Sequence, residues 1–349
     1  MKFYNKIKKL ERPYIIAEIG ANHNGSLKLA KKLILKAKEA GADCVKFQSW
    51  TKESIFSKKK YQENHFLKDD YRNRKDYTLE SIVKKFSLSE NLLFQIKIFC
   101  NKNKIDFTST PFSKKEANFL VDKLKAPFIK IASMDLNNYP FLEFIAKKNK
   151  TIVLSTGLSN LNEIKKAVKT IESKNNFKII ILHCVAIYPT PDNLSNINNI
   201  DTLKKIFNYP IGYSDHTLGF GISLAAASKN ISILEKHFTL DKKMFGWDHK
   251  VSATPDELKI ICHESRRIAQ ALGDKSIVAP ESNKIKKEFR RSIVLSKDLK
   301  VGHKIKEEDL DFKRPGTGMP PEKILTLIGK TMKRNVTKDS ILSLKDIVK

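Results

Sequence analysis

Apolar and polar positions repeat along the chain in a two-part rhythm. Short apolar runs fall at 14–20, 44–48, 106–111, 128–133, 151–156, 178–184, 211–216 and 233–238, and amphipathic stretches separate them, among them 27–40, 89–101, 114–123, 161–173, 222–229 and 255–271. The runs have strand length, and the stretches place apolar residues three and four apart, on one helix face. Eight such units over roughly 270 residues predict an α/β fold of the (β/α)8 TIM barrel type. A doubly wound open sheet shows the same alternation. The position of the polar residues favours the barrel, because barrels collect their chemistry at the C-terminal ends of the strands. Here the runs end in Glu18, in Lys46 and Gln48, in Thr110, in Lys130 and Ser133, in Ser155, in Ser214 and His216, and in His237, with Tyr188 just beyond Cys184. No Gly-rich phosphate loop follows the first run.

Two segments leave this rhythm. Residues 49–88 are too long for an ordinary connection and rich in Lys, Asn, Asp and Tyr, and they read as a lid-like insertion over the barrel mouth. After residue 275 the composition turns polar, so the barrel domain is placed at 1–275 and a linker at 276–288. Residues 289–349 hold short strand-like pieces and a Gly/Pro-rich turn, a small β-rich domain whose core is marginal alone and predicts packing against its own barrel or a partner subunit.

Composition narrows the function. With 41% hydrophobic residues in 349, the chain can bury a sizeable core. Lys and Arg outnumber Asp and Glu 66 to 38, a formal charge of +28, which directs attention to nucleic acid, an anionic membrane or an anionic small molecule. Most of the excess is lysine on predicted helix faces and loops, where charge is ordinarily solvated. Neither a nucleic-acid module nor a basic stripe interleaved with aromatic residues is present, so no nucleic-acid partner is expected. The absence of an apolar run of membrane-spanning length excludes a membrane partner by that route, and no signal-peptide run precedes Arg12-Pro13. Four scattered cysteines without a CxxC pair fit a reducing compartment, and a cytoplasmic location is expected.

The strand lysines are the sharpest chemical signal. Lys46 in CVKFQ and Lys130 in FIKIAS are flanked by apolar residues, and an unpaired buried ammonium is costly. Each therefore pairs with a strand carboxylate such as Glu18 or, with Thr110, Ser133, Ser155 and Ser214, lines a pocket for a phosphate or a phosphorylated carboxylate. His216 and His237 end adjacent strands, seven and eight, where two imidazoles can share a divalent ion, with Asp215, Glu235 and Asp248 nearby. His23 and His249 are weaker ligand candidates, and His65, His263 and His303 receive no role. Glu18 is either the partner of Lys46 or a carboxylate that takes a proton or positions a water. Cys184 reads as packing, since His183 should face the other way along the strand.

In order along the chain, EIGANHNG, VKFQ, TSTPF, KIAS, LSTG, YPTP, GYSDHTLG and EKHF, followed by DH, resemble the sialic acid synthase family, the N-acetylneuraminate synthases and related nonulosonic acid synthases. RSIVLSKDLKVGHKI and DFKRPGTG are similar to the antifreeze-like (SAF) domain that ends those enzymes. The resemblance implies condensation of phosphoenolpyruvate with N-acetylmannosamine or a related amino sugar; a diacetamido-trideoxy hexose, giving legionaminic or pseudaminic acid, is the alternative acceptor. It implies that Lys46, Thr110, Lys130, Ser133, Ser155 and Ser214 hold phosphoenolpyruvate, and that His216 and His237 bind a divalent metal, Mn2+ in the first place, with Mg2+ or Co2+ as substitutes. Glu18 would position water or shuttle a proton. Gln48, Asp135, Tyr188 and Asp248 would meet the sugar, and Arg314 would reach it from the second subunit of a domain-swapped homodimer. Three positions depart from the family pattern: Asp135 stands where Glu is usual, Ala186 where Asn or Ser is usual, and the bulky Phe245-Gly246-Trp247 precedes Asp248. A non-catalytic polyanion-binding barrel is the contrasting reading, set apart by a steep salt dependence of DNA binding.

Overall fold

The computed structural model describes residues 2–64, 77–274 and 276–348. The chain divides into two compact units, Met1–Gly273 and Asp274–Lys349. The first opens with α1 (Lys2–Lys9), β1 (Tyr14–Gly20), α2 (Leu27–Ala40) and β2 (Cys44–Ser49). The insertion follows as α3 (Lys52–Ile55), α4 (Lys58–Glu63) and α5 (Leu79–Phe86), and α6 (Glu90–Lys102) returns the chain to β3 (Asp106–Pro111). Then come α7 (Lys114–Asn118), running on into a π-turn at Phe119–Lys123, β4 (Phe128–Ile131), α8 (Tyr139–Ala146), β5 (Thr151–Ser155) and α9 (Leu161–Glu172). The series closes with β6 (Ile179–Cys184), α10 (Asn199–Ile206), β7 (Ile211–Asp215), α11 (Gly221–Ala227), β8 (Ile233–His237) and α12 (Pro255–Ala271). Helix starts are written locally. Ser26 and Ser89 cap α2 and α6, while Asn160 with Glu163 and Thr254 with Glu257 form capping boxes on α9 and α12.

The strands lie parallel in the order β3-β2-β1-β8-β7-β6-β5-β4. Between the two ends of that ladder, the Thr108 hydroxyl donates to the Phe128 carbonyl at 2.9 Å, and the barrel is nearly closed. Strand alternation sorts side chains into two cores. Ile15, Ala17, Ile19, Val45, Phe47, Ile129 and Ile131 point outward against the helices, and Tyr14, Ile16, Cys44, Phe128, Val153, Ile180, Leu182 and Ile233 fill the interior at its N-terminal end. Phe3 and Ile7 of α1 join that interior cluster, with Phe3 stacked on Phe128 at 4.5 Å, so the amphipathic first helix plugs the barrel floor. With the floor packed, polar chemistry is left the opposite end.

The described part of the insertion is anchored. Trp50, Leu79, Ile82, Val83 and Phe86 form a small apolar cluster with Ala21, joined by Phe112, Phe245 and Trp247 from the ends of the β3 and β8 segments. His65 and the rest of the insertion's tip lie outside the described residues. The second unit carries α13 (Asn283–Phe289), which overlaps the stretch read as linker and runs one residue beyond it, and the Gly316 N–H bonds the Lys287 carbonyl at 2.7 Å. Antiparallel β9 (Ser292–Leu295) and β10 (Leu310–Lys313) follow, around a core of Ile293, Leu295, Leu299, Ile305, Leu327, Met332 and Leu342. No helix among the described residues is long and apolar enough to cross a membrane.

Candidate active site

Inward positions on successive strands meet at matching heights. Glu18 is level with Lys46 on one side and His237 on the other, Gln48 is level with Thr110, and Ser214 lies between Cys184 and Glu235. Lys46 Nζ is 2.7 Å from Glu18 Oε2, donates to Thr110 Oγ1 at 3.2 Å and stands 3.8 Å from Glu235. Lys130 Nζ donates to Ser155 Oγ at 2.7 Å and is 3.5 Å from Glu235 Oε1, which also accepts from Ser214 Oγ at 3.0 Å. The ion-pair reading of the strand lysines is present, each ammonium standing near a carboxylate, and each also touches a hydroxyl of the set expected to line a pocket.

All four charged groups of this network are buried. Burial pushes the Glu18 carboxyl up to about 7, against the pull of Lys46. Burial opposes the charge of Lys46 too, but Glu18 and Glu235 outweigh it and hold its ammonium above the usual range. For Lys130 burial wins over Glu235 and the value falls. Glu235, although buried, is held below the ordinary range by Lys130, Lys46 and the Ser214 hydroxyl.

Beside this network the His216 and His237 rings lie 5.4 Å apart. His216 Nδ1 donates to the Val185 carbonyl at 2.7 Å, which fixes the ring's orientation, and against the effect of burial Cys184 and that carbonyl hold the imidazole above its usual range. His237 Nδ1 is buried without a hydrogen-bond partner, 3.7 Å from Asp248 Oδ2, and burial with the nearby cations keeps its imidazole neutral, well below the usual value. Burial raises Asp248 to about 6. A ring held in place through its Nδ1 and one unpartnered buried nitrogen on its neighbour fit a divalent ion held by two imidazoles with open positions, the His216 ring giving up its proton on binding. Among the described residues no group of three or more His, Cys, Asp or Glu is placed to enclose an ion, so the histidines would supply only part of a coordination shell.

Of the remaining expected residues, Gln48, Tyr188 and Ser133 contact members of this centre. Gln48 Nε2 donates to Glu18 Oε1 at 3.1 Å, and the Tyr188 ring lies 4.2 Å from that of His216, tilted by 36°, while staying half exposed. Gly20 adopts φ +52°, and a Cβ there would meet Glu18 Oε1, Asp248 Oδ2 and Gln48 Nε2 at 3.1, 3.4 and 3.5 Å; the three polar groups share the space its missing side chain leaves. Ser133 Oγ accepts from the Gly157 N–H at 3.1 Å, and Asp135 ends the short turn Ser133–Asp135, bonded to Asn138. Arg314 belongs to the second unit, its guanidinium 5.1 Å over the Phe289 ring.

Three expectations need correction. Asp215 takes no part beside the histidines: next in sequence to His216, it faces the other side of the strand and pairs with Lys236 at 2.8 Å. Cys184 is more than packing, since its Sγ faces the mouth 3.6 Å from Ser133 Oγ and 3.9 Å from His216 Nδ1. Despite burial, His216 holds that thiol below its usual range. Glu235, noted only as a neighbour of the histidines, is the carboxylate that joins the two lysines; its place two residues before His237 was the signal. His249 contacts Thr239 and Asn24, and His23 accepts from the Gly25 N–H, with burial lowering it to about 4.

A barrel with buried ammonium–carboxylate pairs and two histidines at one mouth, followed by a small β unit, defines an enzyme of the barrel synthase class. The chain belongs to the NeuB family, whose model matches residues 33–277, and residues 290–348 match the SAF domain. It is 40% identical to an N,N'-diacetyllegionaminic acid synthase of Campylobacter jejuni over 337 residues, 95% of this chain and 99% of the relative. An N-acetylneuraminate-9-phosphate synthase of Drosophila melanogaster is 33% identical, with 95% of each chain covered. The crystal structure of N-acetylneuraminic acid synthetase from Leptospira borgpetersenii in complex with citrate superposes with a TM-score of 0.70 at 33% identity, covering 79% of this chain and 90% of that one.

Proposed function

We propose that the protein condenses phosphoenolpyruvate with an N-acetylmannosamine-type amino sugar to give a nonulosonic acid and inorganic phosphate. The observation that carries this reading is the convergence of Lys46, Lys130, Thr110, Ser155 and Ser214 on one buried centre beside two histidines. Two ammonium groups with three hydroxyl donors suit a substrate that carries both a carboxylate and a phosphate.

In this reading the C=C electron pair of phosphoenolpyruvate bonds carbon 3 to the aldehyde carbon of the open-chain sugar. The C=O pair passes to the aldehyde oxygen, which takes up a proton to become a hydroxyl, and positive charge develops at carbon 2. Water adds there with loss of a proton, and the carbon 2 to phosphate C–O bond breaks as the new hydroxyl gives up its proton and becomes the ketone, releasing inorganic phosphate. Lys46 and Lys130, with Thr110, Ser133, Ser155 and Ser214, hold the phosphate and carboxylate and stabilise the departing anion from a buried site. Glu18, whose proton is poised near neutrality, accepts the proton of the adding water. Gln48, Asp135, Tyr188 and Asp248 orient the sugar hydroxyls. A divalent ion on His216 and His237, Mn2+ in the first place, would supply Lewis-acid polarisation of the aldehyde oxygen.

Arg314 reaches the sugar's acyl group from the second subunit of a domain-swapped homodimer. Support comes from the rim of the mouth, where Met134, Leu158, Ile187, Leu218 and Phe220 leave large apolar side chains exposed, as a surface covered by a partner does. The four cysteines are free and buried, which suits a reducing compartment, and we place the reaction in the cytoplasm.

Phosphate release measured against a panel of amino sugars, with Mn2+ bound, tests the whole reading. Release should require both an amino sugar and the divalent ion, and the sugar that supports it distinguishes N-acetylmannosamine from a diacetamido-trideoxy hexose. No release with any member of the panel would sink the proposal.

A further inference from the structure

The two strands that carry the histidines are tied together on their reverse faces. Asp215 and Lys236 immediately precede His216 and His237, stand level with each other across β7 and β8, and point away from the mouth. Their side chains are completely inaccessible to solvent. The Asp215 carboxylate accepts Lys236 Nζ, the Thr217 N–H and the Thr217 hydroxyl, each at 2.8 Å, and also the Ser223 hydroxyl of α11. Lys236 Nζ donates further to the Thr217 carbonyl at 2.6 Å. One ion pair therefore joins β7, β8, the loop that follows His216 and the helix behind it.

Packing alone does not call for this arrangement. Most outward positions elsewhere in the barrel are apolar, and the polar ones such as Ser49, Ser109 and His183 are not paired with an opposite charge, so they bury without the desolvation of an ion pair. A directional pair does what apolar contacts do not: it specifies one register. A slip of one residue between β7 and β8 would carry His237 to the outer face.

We infer that the Asp215–Lys236 pair is a positioning device, one that sets the separation and orientation of the His216 and His237 imidazoles and thereby the divalent-ion affinity of the mouth. The metal part of this inference rests on the proposed function; the geometric part does not. Neither residue touches the reacting groups, and both act through the histidine that follows.

The test combines Asp215→Asn with Lys236→Met, so that no unpaired charge is left buried and the amide keeps an acceptor for the Thr217 N–H. Two readouts are taken on the full chain: Mn2+ affinity by calorimetry, and the tautomer and chemical shifts of the histidine ring nitrogens in metal-free, 15N-histidine-labelled protein. The variant should melt within a few degrees of the wild type while its Mn2+ dissociation constant rises about 10- to 100-fold, the range seen when the outer partners of a metal-binding histidine are removed. The signature of the His216 Nδ1–H bond to Val185 should weaken. Lys236→Arg, which keeps the ion pair, should restore much of both signals. Wild-type affinity together with wild-type ring-nitrogen spectra in the double variant would overturn the inference. Should the double variant fail to fold, Thr217→Val, which removes one donor and keeps the pair, decides: an intermediate loss of affinity supports the clamp and unchanged affinity refutes it. A wild-type chain that binds no Mn2+ would defeat the metal reading instead, and the ring-nitrogen spectra of the same variants would still judge the clamp.

Discussion

At the scale of single residues, the site is an exchange of burial against charge. Glu18 has the clearest kinetic consequence. Its carboxyl titrates at about 7, and the mechanism needs the ionised form, so kcat/KM should rise with pH through that value and level off above it. Glu18→Gln should remove this limb and lower kcat by about 10²- to 10⁴-fold, as pH–rate profiles of the two proteins will show. Gly157 matters through close approach. A Cβ there would stand 2.7 Å from Ser133 Oγ and 3.2 Å from the Ala186 Cβ. Gly157→Ala should displace Ser133 at a cost of about 1–3 kcal/mol, read as a KM for phosphoenolpyruvate roughly tenfold or more higher with the sugar KM little changed. Residue identity was legible wherever a strand carried it inward, because period two puts Lys46 with Gln48 and Glu235 with His237 on one face. Asp215 was misread as a neighbour of the histidines because adjacency along the chain is not adjacency in space. The partner that turns Cys184 toward chemistry, His216, comes from the next strand and leaves no local trace.

At the scale of elements, the eight strands were legible because each apolar run ends where polar side chains begin, and α2 and α12 because their caps are written in sequence. The first helix was not. KFYNKIKK is short and basic, and its only apolar face, Phe3 and Ile7, has meaning once a barrel floor exists to receive it. Phe3→Ala should cost about 3 kcal/mol or more, because it opens a cavity against Phe128 and Tyr14. Equilibrium denaturation in urea measures that loss. In the second unit the buried carboxylate of Asp309 takes the Lys297 ammonium, the His303 imidazole and the Lys306 N–H. Burial alone would raise its value, but these partners hold it down at about 2. A depressed carboxylate stabilises the fold above its unfolded value and loses that contribution as pH falls toward the folded one. The small unit should therefore weaken between about pH 4 and pH 2. Asp309→Asn should flatten the change, followed by thermal melting across that range.

At the scale of the whole molecule, the formal charge of +28 is carried mostly by lysines outside the buried set; among the described residues the buried ones are Lys46, Lys130 and Lys236. Arg314→Ala is the sharpest test of the assembly. Loss of sugar affinity with phosphoenolpyruvate affinity intact supports an arginine delivered by a neighbouring subunit, and a variant with unaltered constants for both substrates would remove Arg314 from the site. The sequence predicts that the small domain packs against another surface, since its core is marginal by size, and no residue pattern says whose surface that is. The aromatic cluster under the insertion carries an optical consequence. Trp50 and Trp247 are the only two tryptophans of the chain, their rings are 5.7 Å apart, and Trp247 adjoins Asp248. All of the indole emission of this protein therefore originates beside Asp248, so ligand binding at the proposed site should change the fluorescence of the unlabelled molecule.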